Sequence, residues 1–155
     1  MVKSEDQPPK KFQTFEDLEV YNAAREFRKA MYKVARVLPD TEKFGLCSQI
    51  RRAAVSLTNN VAEGHGRYHF RDHIYFVLQA RGSLQELIDD LNVCSDEKYI
   101  EESRVLELRE QAWRVLKLMN GYLRYLRDSQ PGKLLPLREE EAPYHTDDLE
   151  DNPFN

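Results

Sequence analysis

Three of the four histidines, His65, His69 and His73, fall within nine residues, with Glu63 just before them and Asp72 among them. On a helix, His69 and His73 would share a face at a spacing that can hold a divalent metal. The segment lacks the HExxH pattern of a zinc-protease helix, and His65 lies in a glycine break. Clustered surface histidines are the simpler expectation, and no metal or other cofactor is assigned. A metal-dependent enzyme on His69, Asp72 and His73 is the weakest of three readings.

Residues 43–71 carry Lys43, Arg51, Arg52, Arg67 and Arg71 against a single acid, Glu63. The planar guanidinium fork suits bidentate contact with phosphate. Arg67, Tyr68 and Arg71, beside Gly64 and Gly66, resemble a turn that faces phosphate near a helix N-terminus. Arg51, Arg52, Arg67 and Arg71 are therefore candidate contacts to RNA or DNA. The competing expectation is ion pairing of Arg51 and Arg52 with acids of later helices or of a second copy.

Gln49, Arg52, Ser56, Asn60 and Glu63 recur at steps of three and four, a polar stripe on one helix face. Such a stripe can line a groove, line a channel within an oligomer, or form the outer face of a bundle. Glu63 has no partner carboxylate at a meaningful spacing. No Ser, Cys or Thr sits in a nucleophile motif. The glycine-dense EGHGR lacks the GK[ST] ending of a nucleotide-phosphate loop. Cys47 and Cys94 fall at or beside apolar faces and suit buried thiols in a reducing compartment. No catalytic residue is assigned, and the chain is expected not to be an enzyme.

Long helices must position these groups. The chain has 155 residues and seven prolines, of which only Pro39 falls between Phe12 and Arg127. Phe15, Leu18, Tyr21, Ala24, Phe27, Met31, Val34 and Leu38 mark a first helix, opened by Thr14 and Asp17 and stopped before Pro39. The second starts near Asp40 or Thr41, with Leu46, Ile50, Ala53, Ala54, Leu57 and Val61 inward, and ends or breaks at Gly64 and Gly66. The third runs from about Phe70 to Cys94. Inside it, Gly82 predicts close approach by a neighbouring helix. The fourth runs from about Ile100 to Arg127, with Val105, Leu108, Ala112, Val115, Met119, Tyr122 and Leu126 inward. The expected fold is all-α: an antiparallel up-down four-helix bundle over residues 12–128. A flexible arm (1–11) and a disordered, acidic, proline-containing tail (129–155) flank it.

Helices three and four hold more apolar surface than one face needs. Ile74, Tyr75, Phe76, Val77 and Leu78 are consecutive. Leu106, Trp113, Leu116, Leu118, Leu123 and Tyr125 lie off the main stripe of helix four. Such surplus marks association, and Tyr75, Phe76 and Trp113 are candidate contacts between copies in a homo-oligomer. A protein partner on that surface or on the tail gives the second reading, an interaction adaptor.

The net charge is -4, yet residues 133–155 alone carry -5 and the other 132 residues +1. The total therefore leaves nucleic acid open, and the tail is expected to screen the basic face. No apolar run reaches the ~18 residues of a membrane span, and no signal-peptide core opens the chain, so the expected location is cytoplasmic.

FGLCSQIRRAAVSLTNNVAEGHGR (44–67) and ARGSLQEL (80–87), with FEDLEVY (15–21) and LMNGYLRYLR (118–127), resemble the four-helix-bundle proteins of the 23S rRNA intervening-sequence family. Shared positions are Gln49, Arg51, Arg52, Ala53, Ser56, Asn60, Glu63, Gly64, Gly66, Arg67, Gly82, Ser83, Glu86 and Leu87. The resemblance implies a ring-like homopentamer of antiparallel bundles, in a bacterial cytosol, with no established enzymatic activity. Some members are encoded inside intervening sequences of ribosomal RNA genes. A strongly basic related group assists reverse transcriptases of diversity-generating retroelements, which implies contact with RNA or DNA.

Overall fold

A computed structural model of the chain describes residues 14–129. The expected arm (1–11) and nearly all of the expected tail, from residue 130, lie outside the described residues. Those described form four α-helices and two short 3-10 turns, with no strand. The helices are α1 (Glu19–Val37), α2 (Leu46–His65), α3 (Phe70–Asp96) and α4 (Glu102–Asp128).

Thr14 and Asp17 form a capping box, but the box closes a 3-10 turn, Phe15–Asp17, rather than α1 itself. The Asn22 side chain ties that turn to the helix, donating to the carbonyls of Glu16 (2.9 Å) and Leu18 (3.1 Å). Leu38 is extended (ψ 151°), as a residue before proline must be.

The second helix starts later than predicted. Asp40–Glu42 is a 3-10 turn and α2 begins only at Leu46. The reason is a cap from four residues back: the Glu42 carboxylate accepts the Leu46 N–H at 3.0 Å. Glu42 also accepts the Tyr99 hydroxyl at 3.0 Å, joining the α1–α2 connection to the α3–α4 connection.

Gly64 does not break α2, which continues through it to His65. Here α2 and α3 approach closely. A Cβ on Gly64 would lie 3.0 Å from the Phe76 Cβ and 3.1 Å from the His73 carbonyl. Gly82, predicted for that role, is exposed, and a Cβ there would meet nothing within 4 Å.

α3 overruns its predicted end and closes in a Schellman motif. The Tyr99 N–H reaches the Cys94 carbonyl (2.9 Å) and the Lys98 N–H reaches Ser95 (3.1 Å). Lys98 takes the left-handed conformation, φ 57°, where glycine is usual.

Each helix buries its three-and-four stripe, with Phe27, Met31, Ile50, Leu57, Leu84, Leu87, Leu91, Leu108 and Met119 fully enclosed. α2 packs against α1 and α3, α3 against α4, and α4 returns to α1. Polar pairs stitch the seams. Arg28 Nη1 donates to Thr58 Oγ1 at 2.8 Å between α1 and α2, and the Ser56 and Ser83 hydroxyls meet at 2.8 Å between α2 and α3. Cys47, at the start of α2, donates to the Ala35 carbonyl near the end of α1.

Trp113, expected at a surface between copies, is 8% exposed and belongs to the core, as do Leu116 and Leu123. The reason is that α4 packs on both α1 and α3, so its buried arc is wider than one stripe.

Candidate nucleic-acid interface

The polar stripe of α2 divides into a seam and two exposed ends. Ser56 and Asn60 are half-buried. Ser56 bridges to Ser83, Ser83 donates onward to the Gln79 carbonyl (3.2 Å), and Asn60 Nδ2 donates to the Ser56 carbonyl at 2.8 Å and its hydroxyl at 3.0 Å. The Ser56–Ser83 bond joins α2 to α3, while the Asn60 and Gln79 bonds stay within their own helices. Gln49, Arg52 and Glu63 stay exposed.

Arg67 ion-pairs with Glu63, and its guanidinium sits 4.6 Å from the centre of the Phe76 ring. The exposed setting makes the pair weak in energy, but it neutralises Arg67. Arg51, Arg52 and Arg71 are exposed and have no ion pair or hydrogen bond among the described residues. Pairing within the bundle, the competing expectation for Arg51 and Arg52, does not occur there. The arginines do not form one patch. Arg51 and Arg52 are separated from Arg67 and Arg71 by most of α2, roughly 20 Å at 1.5 Å per residue.

The histidines part company. His69 precedes α3, exposed, with its ring edge-on to Tyr68 at 5.1 Å. His73 is buried, edge-on to His65 at 6.0 Å, with Nε2 2.8 Å from the Tyr122 hydroxyl. Burial, and secondarily His65, pull His73 down to about 4. Burial, and secondarily Tyr125, push the Tyr122 phenol above its ordinary value. Both are neutral near pH 7, so the pair is a hydrogen bond between neutral groups whose direction follows the imidazole tautomer. Among the described residues, no three His, Cys, Asp or Glu side chains gather as a metal site would require.

A family model described as 23S rRNA-intervening sequence protein matches residues 16–121. The chain belongs to that family. No curated protein matches it. The stretch shared with the family spans α1 to α3 and most of α4, and leaves the last turns of α4, from Tyr122, outside the match.

Within this family frame the outer face of α3 is notable. Tyr75 is 56% exposed, Leu78 is exposed, and Gly82 continues the stripe. Phe76, by contrast, is half-buried beneath Arg67. Phe44 (90% exposed) and Tyr68 (94%) flank α2. Among the described residues no helix is long and apolar enough to cross a membrane.

Reading along α2 alone missed a basic cleft between α3 and α4, lined by Arg81, Asn120, Leu123, Arg124 and Arg127. Its α4 half was visible as steps of three and four from Asn120 to Arg127. Arg81 joins from another helix, which no local spacing reveals.

Proposed function

We propose that the chain is a non-enzymatic helical scaffold that assembles with copies of itself, as a pentamer, and contacts RNA or DNA through exposed arginines. Each subunit is read as an antiparallel up-down bundle working in a bacterial cytoplasm.

The observation that carries self-association is Gly82. An interior helix glycine costs up to ~1 kcal/mol against alanine, and among the described residues nothing needs its missing side chain. It continues the stripe of Tyr75 and Leu78, both exposed. A bare backbone one turn from exposed Leu78 suits close packing by another helix, and among the described residues none arrives. The pentamer number rests on the family resemblance. Arg51, Arg52 and Arg71, exposed and without an ion pair among the described residues, supply the phosphate-facing charge, while Arg67, beyond the far end of α2 from Arg51 and Arg52, is held by Glu63.

Light scattering on the purified chain should give the mass of five copies, and a strict monomer at micromolar concentration overturns the scaffold. RNA and DNA affinity should fall steeply with salt and weaken in Arg51→Ala, Arg52→Ala and Arg71→Ala. A flat salt response removes the nucleic-acid part.

The exposure of Phe44 and Tyr68 favours a second reading, an adaptor that docks another protein. Pull-downs with and without residues 129–155, and with Phe44→Ser, separate it from the scaffold.

A further inference from the structure

A cleft of about 160 Å³ runs between α3 and α4, lined by Arg81, Asn120, Leu123, Arg124 and Arg127. Arg81 is engaged within the chain, and its charge is not counted here. Asn120 is 7% exposed, and its Oδ1 is buried with no hydrogen-bond partner among the described residues. An amide oxygen accepts, so the group that completes it must bring an N–H or O–H. Buried acceptors left alone are destabilising and rare in native proteins.

Lys117, Asn120, Arg124 and Arg127 follow one another at steps of three, four and three, a single stripe on α4. Lys117, Arg124 and Arg127 are exposed and make no ion pair or hydrogen bond among the described residues. Asp128, four residues after Arg124, pairs with neither arginine. The cleft thus calls for three things at once: a donor at Asn120, an apolar group against Leu123, and carboxylates along the stripe. An inorganic anion brings only charge. A peptide with leucines followed by acids brings all three, because its backbone N–H groups are the donors.

Such a peptide follows α4 directly. After Ser129 come Pro131 and Gly132, then Leu134, Leu135 and Leu137, then Glu139, Glu140 and Glu141. Proline followed by glycine favours a chain reversal. From Lys133 to Asp151 seven acids stand against two bases, Lys133 and Arg138. Between Lys117 and Ser129 the helix axis advances about 18 Å. Residues 130–138 can span up to about 30 Å, enough to turn back and lay the glutamates on the stripe. So short a tether keeps the segment at roughly millimolar effective concentration, so modest contacts suffice.

We propose that residues 133–141 dock in the α3–α4 cleft of their own chain. Leucines of the segment cover Leu123, a backbone N–H completes Asn120 Oδ1, and Glu139–Glu141 meet Lys117, Arg124 and Arg127 in charge-assisted bonds. The surface is separate from the arginines of α2 and does not depend on assembly.

A carbodiimide joins a lysine amine directly to a carboxylate that touches it. Applied to the full chain, and to its Arg124→Lys variant, it should link positions 117 and 124 to Glu139–Glu141. An equal mixture of ¹⁵N-labelled and unlabelled chains tells links within one chain from links between two. Backbone amides of residues 133–137 should exchange hydrogen about tenfold more slowly than in a variant carrying Leu134→Ser, Leu135→Ser and Leu137→Ser. That variant alters no residue of the four helices, and in it the links should fall at least about fivefold. Three results overturn the proposal. One is no link; another is links only between chains, which would give the cleft to the tail of a second copy. The third is links and exchange that the leucine variant leaves unchanged, which would be proximity from the tether alone.

Discussion

The Tyr122 hydroxyl lies 2.8 Å from Nε2 of His73, across the seam between α3 and α4. Both groups are largely enclosed, and His73 is held at about 4, against an ordinary 6.5. In the unfolded chain His73 takes up a proton below pH 6.5; in the folded chain it does so only below about pH 4. Between those values the unfolded state binds more protons, so acid favours unfolding. The contribution is complete above pH 6.5 and fades as pH falls toward 4. At ~1.4 kcal/mol per tenfold in proton affinity, the loss approaches roughly 3 kcal/mol. Urea denaturation across that window should show the slope, and His73→Gln should flatten it. Tyr122→Phe should cost about 1 kcal/mol or slightly more, since it strands Nε2.

Asp90 should act in the opposite direction. Burial, then Glu86 and Asp89, push its carboxyl up to about 6. The folded chain therefore holds this proton where the unfolded chain has released it, and the contribution to stability falls as pH rises from about 4 to 6. Asp90→Asn should stabilise the protein at pH 7 by up to about 3 kcal/mol. The gain should vanish below pH 4, a contrast that denaturation midpoints at the two pH values would read.

Two glycines predict opposite outcomes for the same change. Gly64→Ala drives a methyl into the backbone of His73 and the Cβ of Phe76. It should destabilise by about 1–3 kcal/mol. Gly82→Ala meets nothing among the described residues and should raise the stability of a subunit by up to ~1 kcal/mol. Thermal unfolding of the two variants would separate them. Equal losses would contradict the assignment of Gly64, and not Gly82, as the point of close approach.

Both thiols should be inert in the native state. Cys94 is fully enclosed and pushed up to about 11, first by burial and then by Asp90, Cys47 and Glu42. Cys47 is buried and donates to the Ala35 carbonyl. A disulfide reagent at pH 8 should label neither residue until denaturant is added, because the thiolate is the reactive form.

The fold was largely legible because bundle cores obey one spacing rule. The stripes through Phe27, Ile50, Leu87 and Leu108 are the buried faces that steps of three and four predict. What stayed hidden was information held elsewhere in the chain. The start of α2 depends on a carboxylate four residues upstream, not on an N-cap. The end of α3 uses Lys98 in a left-handed conformation, where sequence reading looks for glycine. Stability measurements on Lys98→Gly should show a gain of about 1 kcal/mol. Trp113 was misplaced because burial on α4 answers to two neighbouring helices at once. Among the basic groups, the Arg67–Glu63 pair was readable at i,i+4. The convergence of Arg81 on Arg124 and Arg127 was not, since it links two helices.

Glu42 binds the Leu46 N–H with one carboxylate oxygen and the Tyr99 hydroxyl with the other. A Cβ on Gly45 would stand 2.9 Å from the first of these oxygens. The three positions are thus one heritable unit. A side chain at 45 pushes the carboxylate aside and frees both donors, while a shorter acid at 42 lifts the restriction on 45 and leaves Tyr99 unanchored. Among homologous chains, glycine at 45, glutamate at 42 and tyrosine at 99 should be gained and lost together, although 57 residues separate Glu42 from Tyr99.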